Sequence, residues 1–314
     1  MKKITIIVIS ILSVCLFVSC NKSKNKEQLK ENTMRSGFIK IAVDQTMQPT
    51  MQAEIDMFET ENAAIVEPIY VSESEAIDLL MKDSVRLAVT ARRFTEAELG
   101  YFNLNAFEPE EIRIAIDGIA LIIHPENPDS IISVKEVRKI LTGEVTKWDE
   151  IFPDSKLGKI QVVFDNTNSS IVSYANDSIC RDKHLSSDLN ALEKNEEVVT
   201  YISENKSALG LIGVNLISDS YGSTAIDFTK KIQVMRVSRN DHATRENAVQ
   251  PYQYYIYNLQ YPFIREIFIL LNDPRGELPK GFTRFVTSDV GQRIILRSGL
   301  LPSTMPINAV KIVE

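Results

Sequence analysis

Residues 119–124, IALIIH, form an unbroken apolar run rich in β-branched side chains, the pattern of a strand buried on both faces. A strand of that kind needs helices to cover it, and the flanking residues supply one. Pro125 and Pro128 stop the strand, Ser133 and Glu136 have the spacing of a capping box, and Val137, Ile140 and Leu141 make an apolar helical stripe that Gly143 ends. The same alternation precedes it. FIKIAV (38–43), 65–71 and VRLAVT (85–90) read as strands; Pro49–Phe58 and Glu75–Met81 read as helices, and a third helix opens at Thr95 with Glu98 in the capping-box position. Strands and helices alternating at this pitch build a largely parallel sheet with helices on its faces, and such sheets place ligands beyond the carboxyl ends of strands, against helix N-termini.

Four segments then resemble one family in the right order. Asp117-Gly-x-Ala, the strand, Asn127-Pro128, the helix and LTGEVTKW (141–148) resemble the crossover segment of phosphate-type periplasmic solute-binding proteins. VVTYISENKSALGLIGVNLI (198–217) resembles the family's helix, turn and following strand, and YPFIREIFILL (261–271) its return strand. FTRFVTSDVGQRIILRSGLLP (282–302) resembles its closing helix, with Gly291-Gln292 near the middle. The likeness runs from about Ile39 to Pro302. It implies an α/β, two-lobed fold, each lobe a mostly parallel sheet flanked by helices, with the ligand cleft between the lobes. The division it implies is 1–20 signal peptide, 21–36 polar tether, 37–118 plus 252–314 lobe 1 and 119–251 lobe 2. A mature chain of about 290 residues agrees, since it exceeds the usual single-core size.

Three loops carry the expected site. VDQTMQP (43–49) precedes a helix that Pro49 opens, and free amides at such an end hold anions. The resemblance carries over Thr46 and the backbone of Met47 as oxyanion contacts; without it Thr46 reads equally as a helix cap. In VSESEA (71–76), Ser72 lies at the family's serine position, and the usual glycines are absent. Thr90-Ala91-Arg92-Arg93 ends the third strand, with Ala91 where some phosphate binders carry a carboxylate. Arg92 or Arg93 can bring positive charge, and Arg92 is expected to face the cleft near Thr46 and Ser170; an exposed, solvated arginine is the alternative. In FDNTNSSIVSY (164–174), Asn168, Ser169 and Ser170 fall at the family's Ser-Gly-Thr positions, while Phe164 replaces an arginine that normally grips the anion by two hydrogen bonds. Tyr252, Tyr254, Tyr255, Tyr257 and Tyr261 read either as a stacking surface for a sugar or base or as the packing of a return strand, and packing is favoured.

Lys2 and Lys3 precede an apolar segment, 4–18, too short to span a bilayer, which reads as a secretory signal. Phe17-Val18-Ser19-Cys20 resembles a bacterial lipoprotein processing site, with Cys20 as the acylated residue. Removing residues 1–19 deletes two lysines and no acid, moving the net charge from −7 to −9. An acidic body lacks the basic face that nucleic acid demands. Lys22, Lys24, Lys26 and Lys30 lie in the tether, a solvated linker able to touch anionic headgroups. Cys180 then has no intrachain partner, and His124, His184 and His242 show no ligand spacing, so neither a disulfide nor a metal site is expected.

The resemblance therefore implies a lipid-anchored, monomeric binding protein on the periplasmic side of a bacterial membrane. It would capture phosphate or a similar oxyanion and present it to the permease of an ABC transporter, without cofactor or catalysis. The alternative is a binding or sensory lipoprotein of the same fold whose ligand has changed or been lost, as Phe164 and Ala91 suggest. A hydrolase is disfavoured, because Ser169 and Ser170 have neither a Ser-His-acid set nor a Gly-x-Ser-x-Gly elbow around them.

Overall fold

The computed structural model describes residues 32–104, 108–192, 194–219 and 227–304. The segment read as a secretory signal, Cys20 and most of the stretch read as a tether lie outside these residues. Among the described residues no helix is long and apolar enough to cross a membrane.

The first half alternates as expected: β1 (Ser36–Asp44), α1 (Gln48–Glu61), β2 (Ala63–Val71), α2 (Glu73–Met81), β3 (Leu87–Thr90) and α3 (Glu96–Leu104). β1 pairs in parallel with β2 and β3, placing the ends of all three, and the loops after them, along one edge. Then β4 (Glu110–Ile123) runs through both halves of the molecule, longer than the apolar run alone suggests. Its charged first part, Glu110–Arg113, pairs with the return strand, and its apolar end, Ile119–Ile123, pairs with a strand of the second half. α4 (Val134–Leu141) begins with the capping box: the Ser133 side chain accepts from the Glu136 amide, and the Glu136 carboxylate accepts from the Ser133 amide at 2.8 Å. Gly143 follows α4 with φ at 77°, a left-handed turn that glycine adopts freely.

The second half is built on β5 (Gln161–Phe164), α5 (Ser170–Tyr174), α6 (Asn195–Glu204) and β6 (Ala208–Gly213), with β5 and β6 parallel. β7 (Ile264–Leu271) returns antiparallel between β3 and β4, so the sheet reads β2–β1–β3–β7–β4–β6–β5. The sheet is thus parallel at its flanks and antiparallel at the strands that cross between halves. One core packs Met51, Ile55 and Phe58 of α1 against Phe282 and Phe285, and another gathers Leu121, Trp148, Phe164 and Leu211 in the second half.

Three expectations change in detail. Ile232 to Val237, which reads from the sequence as a single strand, falls in two short ones, Gln233–Val234 paired with β4 and Arg236–Ser238 paired with Ile131–Ser133; the switch of partner at Met235 breaks the run. The closing segment is two helices, α7 (Leu278–Val286) and α8 (Asp289–Arg297), because Ser288 leaves the helix and caps the second with its hydroxyl. The tyrosines do not alternate on a strand: Gln253–Tyr257 is one helical turn, Tyr252 stacks on Phe228 at 4.8 Å, and fully buried Tyr261 donates to the Ile119 carbonyl at 2.7 Å. Tyr252 and Tyr261 pack, whereas Tyr257 is exposed.

Candidate functional site

The loops after β1 and β5 meet at the seam between the halves. Asp44 ends β1, buried, and its Oδ1 accepts from the Thr46 amide at 3.0 Å. That bond folds 45–47 into a single tight turn and leads into α1, with Pro49 in its first turn. Across the seam, Ser169 caps α5 by accepting from the Val172 amide at 3.2 Å, which leaves Ser170 as the first helical residue, facing Thr46. The two hydroxyls, Thr46 Oγ1 and Ser170 Oγ, are 3.3 Å apart.

Both accept from one guanidinium that the sequence reading missed. Arg265, on β7, donates from Nη1 to Ser170 Oγ at 2.6 Å and from Nη2 to Thr46 Oγ1 at 3.1 Å. It stands directly across from Asp117 in the β7–β4 register, and its Nε and Nη2 grip Asp117 Oδ2 at 3.0 and 2.9 Å. Asp117 Oδ1 accepts from the Val214 amide at 3.2 Å. The pair is almost fully buried, with side chains 2% and 0% exposed. Burial pushes the Asp117 carboxyl up, against the pull of Arg265; Arg265 stays a cation because Asp117 and Asp44 outweigh the cost of its burial. The sequence held one signal: the same-face neighbours two positions from Arg265 (Phe263, Ile267) and from Asp117 (Ala115, Ile119) are apolar, and charges set among apolar side chains need partners when buried.

The predicted placement of Arg92 is corrected. Its guanidinium forks onto Glu98, with Nη1 and Nη2 at 2.8 and 2.9 Å from the two carboxylate oxygens, and its Nε is 3.7 Å from Glu73. The capping residue of α3 intercepts it, because Glu98 also accepts from the Thr95 amide and is held beside the strand end. Arg93 pairs with Glu111 and lies over the Phe268 ring. Neither makes a hydrogen bond to Thr46 or Ser170.

Ser72 caps α2 by accepting from the Glu75 amide at 3.3 Å. Beside it, buried Glu73 accepts from the Ala91 amide at 2.7 Å, which brings a carboxylate to the end of β3. Burial, reinforced by Asp44, pushes Glu73 up to about 7. Asn168 is exposed in the turn before α5, with its amide donating to Asn166 Oδ1 at 2.9 Å. Phe164 points into the core of the second half, 2% exposed. Met47 is buried on the α1 face.

Further bonds tie the halves together. Asn195 Nδ2 donates to the Gln45 carbonyl at 3.3 Å and Asn215 Nδ2 to the Thr46 carbonyl at 2.8 Å. Gly213 lies under the site: a β-carbon there would fall 2.7 Å from Asn215 Oδ1, 3.0 Å from Asp117 Oδ2 and 3.3 Å from Arg265 Nη2. No group of three or more metal-ligating side chains occurs among the described residues.

Two halves that close hydroxyls and a guanidinium into a seam at strand ends define a two-lobed α/β binding protein. Residues 23–290 match the PBP superfamily domain, and the chain belongs to that superfamily, with phosphate-type solute-binding proteins as its relatives. The phosphate-binding protein PstS of Borreliella burgdorferi is 24% identical over 313 residues, covering 96% of this chain and 99% of that protein. PstS of Pseudomonas aeruginosa is 21% identical over 244 residues, covering 73% and 71%. Two solved structures share the fold. A Clostridium perfringens substrate-binding protein with bound phosphate matches with a TM-score of 0.69 at 20% identity, covering 85% of this chain and 100% of that one. An ABC-type phosphate transport receptor from Vibrio cholerae matches at 0.64 and 21%, covering 85% and 100%.

Proposed function

We propose that the protein captures phosphate or a similar oxyanion between its lobes and delivers it to the permease of an ABC importer. The observation that carries this reading is the Arg265 fork, one buried guanidinium reaching a hydroxyl from each half, at 2.6 Å to Ser170 and 3.1 Å to Thr46. With the lobes parted, an oxyanion inserted between Thr46 and Ser170 replaces their mutual contact and accepts from both hydroxyls and the guanidinium, in a site that closure dries. The loop amides near Met47 and Ser72 and the turn at Asn168–Ser169 complete the set, and Arg265 takes over the role vacated at Phe164. We assign 37–118 plus 252–314 to lobe 1 and 119–251 to lobe 2.

Titration calorimetry with inorganic phosphate tests this directly. Binding by the wild type, weakened by at least about tenfold in Ser170→Ala, is expected from the loss of one contact to a buried anion. No heat at millimolar phosphate would overturn it. The relatives named above are binding proteins, and the site offers capture without turnover. A lipid anchor at Cys20 would place the protein, as a monomer on a 21–36 tether, at the periplasmic side of a membrane; Cys20→Ser should release it from the membrane fraction.

The second reading keeps the fold and changes or loses the ligand, leaving a sensory or interaction lipoprotein. The direct 3.3 Å contact between Thr46 and Ser170 favours it, because the seam closes upon itself. Mass spectrometry of gently purified protein separates the two: retained phosphate rejects the loss.

A further inference from the structure

The turn after β1 carries two successive peptide groups that are held from the other half of the molecule. The Gln45–Thr46 peptide is gripped at both ends: its amide donates to Asp44 Oδ1 at 3.0 Å, and its carbonyl accepts from Asn195 Nδ2 at 3.3 Å as well as from the Gln48 amide. The next peptide, Thr46–Met47, has its carbonyl on Asn215 Nδ2 at 2.8 Å. Asn195 is the first residue of α6, and Asn215 lies in the single turn Val214–Leu216 that follows β6, so both donors come from the second half while the turn they hold belongs to the first. A peptide group is planar and trans, so fixing the Thr46 carbonyl also fixes the Met47 N–H, which points away from Asn215. A carbonyl that accepts a hydrogen bond polarises its peptide and makes the N–H at the other end a stronger donor.

Both carboxamides make these bonds while leaving an acceptor stranded. Asn195 Oδ1 and Asn215 Oδ1 are buried with no hydrogen-bond partner among the described residues. Turning either carboxamide over would set its oxygen against a loop carbonyl, so the two carbonyls dictate the orientation. A buried oxygen without a donor offsets much of what the amide gains, so these crossings are poorly explained as plain contributions to stability. They are better explained by what they hold, because the Met47 amide is the group that the oxyanion reading needs in place.

We propose, resting on the oxyanion reading above, that Asn195 and Asn215 are positioning residues through which lobe 2 aims the Met47 amide of lobe 1 at the anion. Neither touches the ligand. With the lobes parted, water hydrates both carboxamides and the turn is held by Asp44 alone. Closure moves the two Nδ2 groups onto the Gln45 and Thr46 carbonyls and strips the water from the two oxygens, so the ties are nearly balanced until the anion adds its own contacts. The anion therefore meets a finished turn only in the closed protein, and it leaves only after the ties break. A contact made after encounter acts on release rather than on capture.

The test measures association of radiolabelled inorganic phosphate with the full chain, and its release when chased by excess unlabelled phosphate, in the wild type, Asn195→Ala, Asn215→Ala and Asn205→Ala. Asn205 is the comparison, because its Nδ2 donates to the Tyr201 carbonyl at 2.8 Å, within its own half. Expected are release at least about tenfold faster in Asn195→Ala and Asn215→Ala, with association changed by less than about threefold. Asn205→Ala should keep both rates, whatever its urea midpoint. Release at the wild-type rate in either seam variant, or a loss of affinity carried by slower association, would overturn the inference while leaving oxyanion binding in place. No phosphate bound by the wild type would overturn both. Should buried Asn215→Ala fail to fold, the release rate of Asn195→Ala, at a half-buried position, decides the matter.

Discussion

Replacing Arg265 by Met is the sharpest perturbation the structure offers, because the residue both closes the site and neutralises a buried acid. It removes two hydrogen bonds to Asp117, one to Ser170 and one to Thr46. Asp117, 0% exposed, then keeps the Val214 amide at 3.2 Å and the neighbouring Gly118 amide. Breaking a buried ion pair on one side costs about 3–5 kcal/mol, whereas exchanging both partners for neutral groups is often close to neutral. At about 2–4 °C per kcal/mol for a chain of this size, Arg265→Met should lower the melting midpoint by roughly 6–20 °C. Arg265→Met with Asp117→Asn should recover most of that loss, since Asn still accepts from Val214. Phosphate binding should fail in both, by well over about tenfold. Urea unfolding of the wild type, both single variants and the double variant gives the coupling energy. A single variant as stable as the wild type, or a double variant whose loss equals the sum of the singles, would refute the reasoning.

Gly213→Ala should cost about 1–3 kcal/mol by overpacking and weaken phosphate binding together, read by urea midpoint and calorimetry, since its new methyl group meets Asn215 and Asp117 at 2.7 and 3.0 Å. Gln292→Ala should cost about 2–4 kcal/mol without changing binding: its buried amide donates to the Ile114 and Val286 carbonyls at 3.1 and 3.0 Å and accepts from the Ser303 and Thr304 amides at 2.8 and 3.0 Å. Glu54 is fully buried on α1 with neither oxygen bonded among the described residues, and burial pushes it up to about 9 from an ordinary 4.5. The folded state therefore keeps a proton that the unfolded chain releases, so stability is greatest at acid pH and declines as pH rises between those two values, by at most about 1.4 kcal/mol per pH unit. Glu54→Gln should flatten that decline in urea midpoints measured from about pH 5 to about pH 8; an unchanged slope would remove Glu54 as its source.

The fold was legible because its signals are local and repeated. The 119–124 run, the Ser133–Glu136 cap and the strand-to-helix alternation each constrain their own neighbourhood; the structure has the cap and the alternation, and the run lies at the end of the longer β4, which stops at Ile123. The two-helix end at Ser288 and the split at Met235 were not legible, because a hydroxyl turned into a cap and a change of strand partner depend on what packs nearby. Thr46 and Ser170 were named by the family resemblance, and the structure brings the two hydroxyls to 3.3 Å of each other. Arg265 could not be found that way: it lies 95 residues from Ser170 and 219 from Thr46, and only the antiparallel register of β7 on β4 brings it beside them.

That register also explains why Arg92 was the wrong arginine for the seam. A strand-end arginine beside an acidic helix start finds a carboxylate within a few residues, and Glu98 lies only six positions away. An arginine inside an apolar strand has no such local outlet, so its charge must be met by the facing strand, here by Asp117. The ordering cost of that pairing is then met by β-sheet pairing rather than by the ligand. Arg265 is consequently aimed before any anion arrives, with one hydroxyl of each lobe already on its fork. On the proposed reading, a guanidinium fixed in this way loses its hydroxyl partners to an incoming oxyanion without moving, and the closing of the lobes, not a rearrangement of the arginine, is the step that selects what is held.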